Sequence, residues 1–255
     1  MSRHLIERVQ GKVRRLLAEH ISRRMVPIKP HAPIISFTFD DAPASAFRLG
    51  RKILGDHGAR ATFFVSLQLL GSLTEVGEIA SAGDLELALE AGCELGCHTY
   101  NHLDAWRTPT ETFMASVYRN KDALQQILPG AQFSSFAYPK SGAKLSVKAP
   151  LGRIFACCRG GGQKANVGSA DLNLLGACFL DKRTGISLEL TQKLIDHNAQ
   201  QKGWLIFATH DVDQEPSPYG CTPDFLRTIV QYAQLSGGLL LPVKEAHATL
   251  LLPSS

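Results

Sequence analysis

No stretch of this chain approaches the roughly 20 consecutive apolar residues that a bilayer-spanning helix needs. The longest apolar runs, such as Trp204-Leu205-Ile206-Phe207-Ala208, are a handful of residues. The N-terminus, Met1-Ser2-Arg3-His4-Leu5-Ile6-Glu7-Arg8, is basic but is followed by neither an apolar core nor a small-residue cleavage site, so no secretory signal is expected. Cysteine is scarce: Cys93, Cys97, Cys157, Cys158, Cys178 and Cys221 are irregularly spaced and mostly sit in apolar segments. That pattern suits buried, reduced thiols better than a disulfide framework. The expected location is therefore cytoplasmic, with contact to the inner face of a membrane as the furthest extension of that reading. Charged residues make up 20% and hydrophobic ones 44%, and no repeat period is visible. Disordered, collagen-like and coiled-coil classes are excluded by these values. The net charge of +4 is concentrated at one end, where residues 1–29 carry eight basic side chains against Glu7 and Glu19. The remainder is mildly acidic, which argues against a nucleic-acid partner.

A length of 255 residues allows one large domain or two small ones. Leu5, Ile6, Val9, Val13, Leu16, Leu17 and Ile21 recur at helical spacing between basic residues, so residues 3–24 read as an amphipathic helix. Pro27, Pro30 and Pro33 then break it. Two readings stay open: the helix packs on the domain or on a second subunit, or it makes peripheral contact with an anionic membrane surface. The division expected is an N-terminal helix and proline-rich linker over 1–30 and a catalytic domain over 31–255. From residue 34 onward, β-branched and aromatic runs alternate with helical patterns. Strands are expected at 34–39, 61–65, 93–97, 133–138, 153–158, 174–180, 204–209 and 239–243. Helices are expected at 44–56, 76–91, 110–128, 143–150, 187–201 and 222–236. Seven or eight such units without a break in composition predict an α/β fold, an irregular TIM-like (β/α)7–8 barrel. In such a barrel, chemistry belongs at the C-terminal ends of the strands.

Three strand ends carry titratable groups. Ile34-Ile35-Ser36-Phe37-Thr38-Phe39 runs into Asp40-Asp41. Adjacent acids are costly if both lose water, unless a cation or proton compensates them. They form either a solvated turn or a division of labour, one binding a metal and the other taking a proton from water. In Cys93-Glu94-Leu95-Gly96-Cys97-His98-Thr99-Tyr100-Asn101-His102, the two histidines can converge on one cation. A rival site adding Cys93 and Cys97 is disfavoured, because alternation along a strand points Cys97 away from His98. Leu205-Ile206-Phe207-Ala208-Thr209 ends in His210-Asp211. Core packing supplies no reason for three strands to place Asp or His at the same end.

Thr38-Phe39-Asp40-Asp41, His98-Thr99-Tyr100-Asn101-His102, Phe136-Ala137-Tyr138-Pro139 followed by Gly142, and the strand ending in His210 together resemble the NodB-type polysaccharide deacetylases of carbohydrate esterase family 4. The resemblance spans about residues 33 to 245. It implies an irregular (β/α) barrel that removes an N-acetyl group from an amino sugar with the help of Zn2+ or another divalent ion such as Co2+, Ni2+ or Mn2+. By that resemblance Asp40 is the general base, Asp41, His98 and His102 are the metal ligands, and His210 is the acid. Tyr138, Pro139 and Lys140 form the substrate and oxyanion turn, with the backbone N–H near Lys140 as donor. A carbohydrate is the implied partner, and the oligomeric state is open.

The chain also departs from the pattern. Ala137 stands where the family commonly has an arginine that steadies the base; Arg159, from the next strand, either supplies that charge or is a solvated or phosphate-facing arginine. No acid that would orient His210 is recognisable by motif; Asp181, at a strand end, is the expected one. Gly160-Gly161-Gly162 before Gln163-Lys164 lacks the spacing of a phosphate-binding loop and reads as a flexible loop over the site. The segment from Pro216 to Pro223, with Tyr219-Gly220-Cys221, is expected to line the substrate groove. Trp106 either stacks on a sugar or packs internally. His4, His20, His31, His57, His197 and His247 belong to no constellation. Two further functions fit the same residues: a barrel hydrolase of another C–N amide bond, and a catalytically silent carbohydrate-binding barrel.

Overall fold

The computed structural model describes residue 11 and residues 16–251. The strands are β1 (Met25–Ile28), β2 (Ile34–Phe39), β3 (Thr62–Val65), β4 (Leu73–Thr74), β5 (Gly77–Glu78), β6 (Glu94–Cys97), β7 (Ser135–Ala137), β8 (Cys157–Arg159), β9 (Gly168–Asp171), β10 (Cys178–Phe179), β11 (Trp204–Thr209) and β12 (Leu239–Leu240). The main sheet has the order β10-β11-β2-β3-β6-β7-β8, every pairing parallel, with β12 joined to the start of β2. A parallel bridge between Arg159 and Leu175, just upstream of β10, ties the two edges together and closes the curl into an irregular barrel. Because all these strands run the same way, their C-terminal ends share one rim.

The helices are α1 (Arg51–Gly55, entered through a wider turn at Ala46–Gly50), α2 (Ala82–Glu90), α3 (Thr110–Ile127), α4 (Leu145–Ile154), α5 (Leu188–Gln201), α6 (Pro223–Leu235) and α7 (Val243–Leu250). β2 and β11 are buried along their whole length, as expected of strands covered on both faces. Alternation sorts their side chains into two cores. Ile34, Phe64, Ala137, Cys157, Trp204, Ile206 and Ala208 fill the barrel. Ile35, Phe37, Phe39, Phe63, Leu205 and Phe207 face the helices, against Leu85, Leu226 and Ile229. The polar members of the inner set are satisfied: Trp204 Nε1 donates to Ser36 Oγ at 3.0 Å and Thr38 Oγ1 to the Phe207 carbonyl at 2.9 Å. Gly96 has no room for a side chain, since a Cβ would lie 2.4 Å from the Phe64 ring. At the opposite end of the barrel, Glu94 accepts from Thr62, Ser135 and the Lys244 amide, and burial pushes its carboxyl up.

Several expected boundaries shift. The helix expected at 76–91 gives way to the small β4–β5 hairpin, and α2 starts at the Ser81–Asp84 capping box. α4 continues past Pro150 to Ile154, because Val147, Lys148 and Leu151 are buried and tertiary packing outweighs the local penalty. The strand expected at 153–158 is therefore confined to 157–159. The strand expected at 174–180 is reduced to the Leu175 bridge and β10, because Asn166 takes the Gly176 backbone on both its N–H and its carbonyl. The strand expected at 239–243 stops at Leu240; Pro242 opens α7, held by the Arg60–Glu245 pair at 2.7 Å.

Of the helix expected over residues 3–24, residues 3–10 and 12–15 lie outside the described residues. Residues 16–20 are helical, and residues 21–24 are not. Met25–Ile28, read as linker, is a strand paired antiparallel with β9. The reason is long-range. Arg24 donates to the carbonyls of Gly152, Phe155 and Ala156, and its amide donates to Asp171. The fully buried Lys148 reaches the carbonyls of Ala18 and Ile21 and pairs with Asp171 at 2.6 Å. Among the described residues no helix is long and apolar enough to cross a membrane. Substituting Lys148→Met strands the Asp171 carboxylate in the interior and should cost about 3–5 kcal/mol. Urea titration is expected to show a lowered midpoint at unchanged slope; an unshifted midpoint would refute this account of the N-terminal segment.

Candidate metal centre and its rim

Asp40 and Asp41 follow β2, His98 and His102 follow β6, and His210 follows β11. The rim thus brings together residues from three parts of the chain. One ligand atom each from Asp41, His98 and His102 lies within 4.8 Å of the others. Nε2 of His98 is 3.4 Å and Nε2 of His102 is 3.2 Å from Asp41 Oδ1. That oxygen is buried and meets no hydrogen-bond partner. His210 Nε2 stands 3.8 Å from Asp41 Oδ2. Burial opposes ionisation of Asp41, yet the imidazoles of His98, His102 and His210 around it hold its carboxyl well below the usual carboxylate range. His102 is held below the ordinary histidine value by burial and by its neighbour His98. An ionised carboxylate beside imidazoles that keep a lone pair is the chemistry of a cation site, and an orphaned buried oxygen fits that use. The three residues fit a divalent ion.

The backbone sets the tautomers. His98 Nδ1–H donates to the Ala137 carbonyl at 2.8 Å, which turns the Nε2 lone pair toward Asp41. His210 Nδ1–H donates to the Tyr219 carbonyl at 3.1 Å. The loops that carry these groups are conformationally costly. Asp41, Ala42, Thr99, His102, Lys140 and Ser141 all have φ between 52° and 62°, six of the nine non-glycine left-handed residues among the described ones. Each costs on the order of 1 kcal/mol, and their concentration at one rim is characteristic of a functional site.

Asp40 is compensated separately. Its Oδ1 meets Arg159 Nη2 at 2.5 Å, with both side chains buried. Arg159 also donates to the Gly160 carbonyl at 2.9 Å and lies over the Phe64 ring. Tyr138 is corrected: its side chain is core, with its hydroxyl on the Asn173 carbonyl and its amide donated to Arg159. The backbone of the Pro139-Lys140 turn remains to face a substrate, and the Lys140 amide meets no acceptor among the described residues. The expected Asp181–His210 contact is also corrected. Asp181 pairs with Arg183 at 2.7 Å and accepts from the Thr184 amide. Arg183 in turn lies 4.0 Å from the Tyr219 ring centroid. The acid therefore supports the residue whose carbonyl orients His210, without touching the histidine itself. The rival cysteine site is absent among the described residues. Cys97 is buried beneath Asn120, burial pushing its thiol up to about 11, and all six cysteines are free.

Asp211 and Arg183 were not assigned roles by sequence, and Tyr219 was expected in the groove lining and not as the holder of His210. Asp211 accepts from the Ser217 amide at 2.7 Å and the Ser217 hydroxyl at 2.5 Å, folding the loop that delivers the Tyr219 carbonyl. The Asp beside His210 and the Pro-Ser-Pro-Tyr-Gly turn were visible signals; a backbone carbonyl acting on an imidazole was not.

The fold and this rim define a (β/α)-barrel protein with a candidate metal centre. Residues 28–150 match the family model for polysaccharide deacetylase, the family that the chain's motifs resemble. A bifunctional xylanase/deacetylase of Pseudobutyrivibrio xylanivorans is 35% identical over 71 residues, 28% of this chain and 11% of that protein. The match thus spans about a tenth of that curated relative. The Xyl-CE4 domain of a multidomain xylanase from the hindgut metagenome of Trinervitermes trinervoides shares the fold at a TM-score of 0.62 and 19% identity, covering 86% of this chain and 91% of that one. A family 4 acetyl xylan esterase from Clostridium thermocellum, in complex with a cobalt ion, aligns at a TM-score of 0.60 and 20% identity, over 86% and 93% of the two chains.

Gly220 packs so closely that a Cβ would lie 2.4 Å from Asp211 Oδ1. Gly220→Ala should therefore lower stability by about 1–3 kcal/mol and displace the Tyr219 carbonyl. Thermal unfolding checks the first effect; a melting temperature equal to that of the parent would refute the packing argument.

Proposed function

We propose that this chain is a divalent-metal-dependent deacetylase that hydrolyses the N-acetyl group of an amino sugar in an oligosaccharide or glycan. The reading rests chiefly on one observation: two adjacent rim carboxylates have different compensators, Arg159 for Asp40 and imidazoles for Asp41. A Zn2+, Co2+, Ni2+ or Mn2+ ion held by Asp41, His98 and His102 would polarise the acetyl carbonyl and ease loss of a proton from water. Asp40 takes that proton. Arg159 occupies one of its oxygens, orients the carboxylate and leaves the other oxygen as the acceptor. Attack on the acetyl carbon generates a tetrahedral oxyanion, for which the Lys140 amide is the donor on this chain. His210, protonated on both nitrogens, keeps Nδ1–H on the Tyr219 carbonyl and passes the Nε2 proton to the sugar nitrogen as the C–N bond breaks. Acetate and a free amine are the products. The family match supports deacetylation, and the xylan-acting relatives place acetyl esters beside acetamides among the substrates to be tried.

The direct test measures metal content together with acetate release from N-acetylglucosamine oligomers, acetylated xylo-oligosaccharides and a cyclic ureide. Acetate from the acetamido sugars, lost on chelation, restored by a divalent ion and lowered at least ~100-fold by Asp40→Asn, is the expected outcome. Turnover of the ureide alone would point to a different amide hydrolase; no metal-dependent turnover on any substrate would point to a silent binding barrel.

Arg159 has its own test. Arg159→Ala should lower kcat by roughly 100-fold while the protein stays folded by circular dichroism, and Arg159→Lys should recover part of the loss. Arg153→Ala, at an exposed position on α4, should match the parent. Equal activity in the two alanine variants would end the assignment of Arg159 to the base.

A further inference from the structure

A groove of about 890 Å³ opens beside the candidate centre. Its walls come from the loop after His102, the Lys140–Gly142 turn, the glycine loop before Lys164, and the N-terminal segment around Arg23. It adjoins the centre, since its lining residue Asp104 lies two positions beyond His102 and Lys140 follows the β7 strand whose Ala137 carbonyl holds His98. Its charges are unbalanced. Arg107 pairs with Asp104 at 3.7 Å, and Asp171 is neutralised by Lys148. Arg23, Lys140 and Lys164 are exposed and have no hydrogen-bond or ion-pair partner among the described residues. Glu19 is the remaining acid in the described lining to oppose them.

The glycine loop lines the same groove. Gly161 cannot carry a side chain without pressing on Ser141 and Phe179, at 3.2 and 3.3 Å from its Cβ position. Gly162, at φ +109°, adopts a conformation that side chains disfavour. The path of this loop along the groove wall is thus set by packing on Ser141 and Phe179. Three unpaired cations facing one cavity repel each other and concentrate anions there. A neutral sugar gives them no partner; an oxyanion gives charge-assisted hydrogen bonds.

We propose that this groove recognises an anionic substituent, a phosphate or a carboxylate, carried on the same saccharide as the acetamide to be cleaved. The inference rests on the deacetylase reading for the word acetamide and on the groove itself for the charge. The chain's preferred substrate is thus an acidic acetamido glycan, with Arg23 and Lys164 acting as specificity residues outside the reaction centre.

The experiment compares three probes: the N-acetylglucosamine trimer, the same trimer bearing a phosphate monoester, and the same trimer with one C6 oxidised to a carboxylate. Binding is measured by calorimetry on chelator-treated full-length protein, and acetate release on the metal-loaded protein. The expected result is that at least one acidic probe binds about tenfold more tightly than the neutral trimer. That advantage should shrink as salt is raised and vanish in the Arg23→Glu/Lys164→Glu double variant. A phosphate preference and a carboxylate preference each support the proposal and identify the anion. Equal affinity for all three probes, or an advantage that survives the double charge reversal, overturns it. Because the binding arm needs no catalysis, a failure of the deacetylase reading appears separately, as absent acetate release whatever the charge preference.

Discussion

Two neighbouring carboxylates at the end of a buried strand have to be compensated, and the rest of this molecule is organised around how that is done. Asp40 and Asp41 leave β2 side by side, where water is scarce. Asp40 receives a guanidinium from β8; Asp41 receives imidazoles from the loops after β6 and β11. Had both acids shared one compensator, they would be equivalent, and neither could bind a cation while the other takes a proton. The asymmetry makes a division of labour available. It requires strands far apart in sequence to end at one level, which a closed parallel sheet provides.

Positioning relies heavily on main-chain carbonyls. Ala137 holds His98 and Tyr219 holds His210, so each ring is oriented by a group that no side-chain substitution removes. What side chains control is the placement of those carbonyls. Asp211 folds the 211–221 loop through Ser217, and the Asp181–Arg183 pair presses on the Tyr219 ring. The left-handed residues at the rim show that this placement is bought with local strain, which the well-packed barrel below can sustain.

The N-terminal segment belongs to the same economy of long-range contacts. Buried Lys148 and Arg24 fasten residues 16–28 to α4 and β9. The segment thereby becomes a wall of the groove beside the centre and brings Arg23 to it.

Strands β2 and β11 and helices α3, α5 and α6 were legible in the chain because each has an unbroken apolar period of its own, with a cap or a turn at its end. The adjacency of Asp40 with Asp41, and the spacing of His98 with His102, are local in the same sense. β1 and β9 were not legible, since each is short and is a strand only because the other is beside it. The Arg159–Asp40 contact joins residues 119 apart, so one-dimensional spacing could propose the arginine but could not measure its reach. The sequence by itself determined which residue types stand at the strand ends, because backbone periodicity and polarity are local properties. Only the tertiary structure decided which acid each cation serves, that Tyr138 is core and that Asp181 acts through Arg183, because those outcomes depend on distances set by how the whole sheet closes.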